Sequence, residues 1–120
     1  MKILIVDDSL MIRERIAAVV RDIHGAYVVG EAASGDRALE MYRKYKPDLT
    51  ILDLRMPGMT GIDVLKALQH EDHQGSVCVL TNYDQPQYRD YCLKLGACHF
   101  LNKTRDFHRL KSIIDDTVSV

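Results

Sequence analysis

The chain reads as an α/β protein, an open parallel sheet of five strands covered by helices on both faces. Five short runs rich in Val, Ile, Leu or aromatic residues, KILIV, YVVGEA, LTILD, SVCVLT and CHFLN, alternate with stretches whose apolar residues recur at helical spacing. Strands separated by helices run parallel through right-handed crossovers, which places helices on both sides of the sheet. A length of 120 residues and a hydrophobic fraction of 47% suit one domain, residues 1–120, with one core.

Each element has its own signals. KILIV is halted by Asp7 and Asp8, and Ser9 is placed to cap a helix whose apolar stripe is Ile12, Ile16, Val19, Val20 and Ile23, with Gly25 beyond its end. After YVVGEA, Ser34 caps a second helix bearing Ala38, Met41, Tyr42 and Tyr45. LTILD ends at Asp53, and a loop holding Pro57 and Gly58 leads to a helix from about Gly61 to His70 carrying Ile62, Leu65 and Leu68. SVCVLT precedes a helix that Pro86 opens and Gly96 closes; its stripe of Tyr88, Tyr91, Cys92 and Leu95 is expected to face the core. CHFLN is the fifth strand, and Asp106 is placed as cap of a last helix with Phe107, Leu110, Ile113 and Ile114. All five runs suit strands buried on both faces.

Composition excludes several classes of function. Sixteen basic residues nearly balance seventeen acidic ones, so no bulk field draws the chain to nucleic acid or to an anionic membrane. The apolar run Ile3–Val6 is too short for a signal peptide and no later segment could span a bilayer, which leads to an expectation of cytoplasmic location. Cys78, Cys92 and Cys98 have neither a CxxC spacing nor an even count and read as small reduced core residues. His24, His70, His73, His99 and His108 form no ligand pattern for zinc.

In an open α/β sheet, ligands bind outside the carboxyl ends of the strands. Here those ends carry Asp7 and Asp8, Asp53, Thr81, and Asn102 with Lys103. Two carboxylates ~5 Å apart repel by roughly 3 kcal/mol at an effective dielectric of ~20, so three aspartates need compensation. Lys103 supplies one positive charge, and oxygen-only donors with room for water favour Mg²⁺ for the remainder. Mg²⁺ commonly completes its shell with phosphate oxygens, which makes this a phosphoryl site in which a carboxylate can be the nucleophile.

At these positions IVDDS (5–9), ILDLRMPGMTG (51–61), VLTN (79–82) and FLNK (100–103) resemble, in order, the signature set of bacterial response-regulator receiver domains, of the chemotaxis-regulator-like kind. The resemblance covers essentially the whole chain. It implies a flavodoxin-like (βα)5 fold with strand order 2-1-3-4-5 and a two-component function. Asp53 would accept a phosphoryl group from a histidine kinase or phosphotransfer protein, with Mg²⁺ held by Asp8, Asp53 and the backbone carbonyl of Arg55, and by Asp7 through water. Lys103 and Thr81 would bind phosphoryl oxygens. Thr81 and Phe100 would switch the surface of the fourth helix, fifth strand and fifth helix for an unidentified downstream target. The domain would catalyse only its own phosphorylation and dephosphorylation, act as a monomer or phosphorylation-dependent dimer, and touch neither nucleic acid nor membrane.

Departures from the commonest family pattern fall at Thr104, where proline usually follows the lysine, and at Asn82, where a very small residue is usual. A non-proline cis peptide costs about 3 kcal/mol, so a trans Lys103–Thr104 bond is expected. Arg55 and Tyr83, each two residues past a key group, flank the phosphoryl position and, with Asn82, would modulate rates. Two other classes stay open: a phosphate-independent binding module of receiver-like form, and a small Mg²⁺-dependent phosphohydrolase using an aspartyl phosphate. Haloacid-dehalogenase-type enzymes of that second class carry a DxD motif after the first strand, whereas here adjacent aspartates end it and the candidate nucleophile lies on the third.

Overall fold

Alternation of side chains along each strand builds two cores rather than the one expected. In the computed structural model, which describes residues 1–119, the strands are β1 (Lys2–Val6), β2 (Tyr27–Ala32), β3 (Leu49–Leu52), β4 (Ser76–Thr81) and β5 (His99–Asn102). The helices are α1 (Leu10–Arg21), α2 (Gly35–Tyr45), α3 (Gly61–Leu68), α4 (Pro86–Lys94) and α5 (Leu110–Ser119), with a 3₁₀ turn at Phe107–Arg109 before α5. Every strand pairing is parallel and the order is β2-β1-β3-β4-β5. Ile3, Ile5, Ile51, Cys78 and Leu80 point toward α1 and α5, while Leu4, Val6, Leu52, Val77 and Val79 point toward α2, α3 and α4. The central strands β1, β3 and β4 are thus apolar on both sides.

Two of the three caps that the sequence predicts hold. Ser9 and Ser34 accept hydrogen bonds from the N–H groups of Ile12 and Arg37, and Pro86 stands in the first turn of α4. Thr60 and Asp63 form a reciprocal capping box at the start of α3. Gly25 and Gly96, past the ends of α1 and α4, adopt φ of +89° and +106°. All described peptide bonds, Lys103–Thr104 included, are trans.

Five expectations are corrected. β2 and β5 are edge strands and only partly buried, because each has a neighbour on one side alone. α3 stops at Leu68, two residues short of His70, in a turn where His70 N–H bonds to Ala67. Asp106 precedes the 3₁₀ turn but does not cap it, since its carboxylate instead accepts the Asn102 N–H at 2.9 Å. Tyr88 and Tyr91 are exposed, and only Cys92 of the α4 stripe is fully buried, because α4 lies over the margin of the sheet beside the edge strand. Cys78 and Cys92 are buried, their thiols pushed up to about 12 and about 11 mainly by desolvation, but Cys98 is exposed. No described helix is long and apolar enough to cross a membrane.

Candidate functional site

Strand ends at the switch of strand order between β1 and β3 carry the site. Asp53 extends the β1–β3 ladder by one rung, donating its N–H to Val6 at 3.0 Å, so its side chain is held where the sheet opens. One carboxylate oxygen accepts the Leu54 N–H at 2.8 Å and the other accepts from Lys103 Nζ at 2.8 Å. Asp7 likewise bonds through its N–H to Ala32 at the end of β2, and its Oδ1 accepts the Ser9 N–H at 2.8 Å.

Lys103 joins the two acids, lying 2.6 Å from Asp7 Oδ2 and 2.8 Å from Asp53 Oδ2. Its backbone N–H donates to Thr81 at 2.9 Å, the last rung between β4 and β5. Burial by itself lowers the Lys103 pKa, but hydrogen bonds and charge from Asp53 and Asp7 outweigh it and leave the ammonium more basic than usual. Asp7 shows the opposite balance: desolvation raises its carboxyl above the ordinary range despite the hydrogen bonds from Lys103 and Ser9.

Oxygens of Asp7, Asp8 and Asp53 all lie within 4.8 Å of one another, Asp8 exposed and the other two buried. Three hard oxygen donors with one solvent-facing side fit a small divalent cation that retains water, as Mg²⁺ does. A cleft of about 340 Å³ opens over this cluster, lined by Asp8, Asp53, Arg55, Asn82, Tyr83 and Lys103.

Thr81 is fully buried at the end of β4, its hydroxyl accepting the Tyr83 N–H at 3.2 Å. Across the cleft mouth the Arg55 guanidinium hydrogen-bonds the Tyr83 hydroxyl and stacks 4.7 Å from its ring centroid. Phe100 is half-buried, paired with Val79 in the β4–β5 register and packed on the same side of the sheet. Of the residues expected at the site, Asp7, Thr81 and Phe100 do not line the cleft itself; Asp7 belongs to the aspartate cluster, Thr81 is buried at the end of β4, and Phe100 lies on β5, two strands from β3.

Two groups of residues escaped the sequence reading. Arg13 donates to the Asp7 carbonyl at 2.7 Å and to Glu31 at 3.1 Å, bracing the loop that carries the acids. Its signal was available: a cation in the first turn of a helix opposes the dipole and needs a reason. Asp84 and Arg105 interlock beside Lys103 with Asn102, which the sequence places at the end of the fifth strand; neither Asp84 nor Arg105 has a comparable sign in the spacing.

Residues 3–115 match the family described as the response regulator receiver domain. The chain belongs to that family. Among relatives, this receiver domain is 31% identical over 102 residues to the response regulator GacA of Pseudomonas aeruginosa, covering 85% of this chain and 48% of that protein. It thus spans about half the length of the curated relatives it matches. The signal receiver domain of NarL from Mycobacterium tuberculosis superposes with a TM-score of 0.89 at 30% identity, covering 98% of this chain and 95% of the other. The BeF3-activated N-terminal receiver domain of Klebsiella pneumoniae RstA gives 0.87 at 31% identity, with both chains covered completely.

Proposed function

We propose that this receiver domain accepts a phosphoryl group on Asp53 from a histidine kinase or phosphotransfer protein. One observation carries the reading: Asp53 sits at the floor of an open rim cleft with an ammonium 2.8 Å from its free oxygen and two further carboxylates beside it. Asp53 Oδ attacks phosphorus in line, a P–O bond forms, and the donor's P–N or P–O bond breaks with the electron pair leaving on the donor. Lys103 moves its hydrogen bond from the carboxylate to a phosphoryl oxygen. Asp8, Asp53 and the Arg55 carbonyl, with Asp7 through water, would hold Mg²⁺, whose charge offsets that of the transferred group.

Thr81 accepts from Tyr83 but keeps its own hydroxyl proton available to donate. Drawn to a phosphoryl oxygen, it vacates volume on the side of the sheet where Phe100 packs, and Phe100 turns inward to fill it. The readout is a changed α4-β5-α5 surface, which already exposes Tyr88 and Tyr91 to a downstream partner. Phosphoryl binding must favour one arrangement differentially for the switch to work. Arg55 and Tyr83 roof the approach by which water would attack, and Asn82 adds bulk beside Thr81.

Intact mass spectrometry after incubation with a small phosphodonor and Mg²⁺ tests the reading. Wild type gains one phosphoryl group and Asp53→Asn gains none. An adduct that survives on Asp53→Asn overturns the acceptor assignment, and no adduct on wild type favours a phosphate-independent module. Tyr83→Ala should also shorten the lifetime of the adduct by about tenfold, equivalent to ~1.4 kcal/mol of barrier.

A further inference from the structure

The two loops that leave β4 and β5 are joined by side chains rather than by the sheet. Past the Lys103–Thr81 rung no described backbone hydrogen bond links 82–85 with 104–106. Asp84 takes its place: one carboxylate oxygen accepts from Asn102 Nδ2 at 3.0 Å and pairs with the Arg105 guanidinium. Asn102 in turn folds the Lys103 loop, its Oδ1 accepting the N–H groups of Thr104 at 2.9 Å and Arg105 at 2.8 Å, while its own N–H donates to Asp106. A second link runs from the Thr104 hydroxyl to Asn82 Oδ1 at 3.2 Å. Asn82 and Thr104 are the two places where the sequence departs from the commonest family pattern, and they touch each other.

We propose that Asp84, through Asn102 and Arg105, is a positioning residue that holds the Lys103 ammonium over Asp53 and makes the Thr81 and Lys103 loops move as one body. An isolated ion pair with Arg105 exposed would contribute little. Here the same carboxylate also satisfies the half-buried Asn102 amide, whose other end sets the turn immediately after Lys103. Lys103 therefore has its backbone fixed on one side by Thr81 and on the other by a turn anchored to Asp84. The proposal rests on the phosphoryl-site reading, since its function is to set where the ammonium meets the transferred group.

Beryllofluoride with Mg²⁺ is the probe, and binding is followed alongside amide hydrogen exchange. Asp84→Ala and Arg105→Asp should each weaken beryllofluoride binding by about tenfold, whereas Asp84→Asn, which keeps an oxygen to accept from Asn102 Nδ2, should retain most of it. Independently of any ligand, Arg105→Ala, a change in one loop, should speed exchange in residues 82–85 of the other. Wild type that fails to bind beryllofluoride marks failure of the phosphoryl-site reading itself. Binding that is unchanged in Asp84→Ala and Arg105→Asp, an Asp84→Asn variant that binds as weakly as Asp84→Ala, or exchange in 82–85 that ignores Arg105→Ala overturns the role of Asp84.

Discussion

Thr50 stands in the middle of β3 with its hydroxyl enclosed and, among the described residues, no hydrogen-bond partner. An enclosed polar group without a partner costs about 1–3 kcal/mol, and a methyl in its place keeps the β-branched shape that strands favour. Thr50→Val should therefore stabilise the domain by about 1 kcal/mol. The check is a urea midpoint that rises at unchanged slope. Nothing in the sequence marks this position, because a threonine in LTILD is an ordinary strand residue until both neighbouring strands close over it.

Among the elements, α3 bears most directly on the acceptor. Its capping box turns the chain sharply at Thr60, and Gly61 N–H donates to the Leu54 carbonyl at 2.8 Å. A Cβ at Gly61 would lie 2.3 Å from the Asp53 carbonyl oxygen and 2.7 Å from Leu54 Cα, both backbone atoms that cannot turn aside. Gly61→Ala must therefore push α3 off β3 or displace Asp53, at a cost of about 2–3 kcal/mol. Denaturant unfolding gives the loss of stability, and a Mg²⁺ titration should show weaker binding as well because the ligand strand moves. The glycine was legible as the start of the helix that follows the acceptor loop; the contact that requires it was not.

For the molecule as a whole, the site ties stability to pH. Lys103 has a native pKa above its ordinary 10.5, so the folded state holds that proton more tightly than the unfolded chain. Its stabilising contribution is complete below 10.5 and is lost as pH rises through the higher native value. Lys103→Met lacks this contribution. The stability difference between wild type and Lys103→Met, measured by urea unfolding from about pH 8 to about pH 11, should narrow at the alkaline end. A difference that stays constant would show that the Asp7 and Asp53 contacts do not hold the proton in solution.

By itself the sequence determined the order of elements, the parallel sheet and the convergence of Asp7, Asp8, Asp53, Thr81 and Lys103 on one rim. These follow from local periodicity and from the handedness of the crossovers, which need no knowledge of distant contacts. Tertiary structure alone decided which helix faces are covered. The same apolar spacing that buries Ala38 and Tyr42 in α2 leaves Tyr88 and Tyr91 of α4 in solvent, because α4 packs at the margin of the sheet. It also decided the bracing of the site by Arg13 and the joining of two loops by Asp84. Those partners are 18 and 21 residues apart in the chain, as for Arg13–Glu31 and Asp84–Arg105, and only the sheet order brings them within hydrogen-bonding reach.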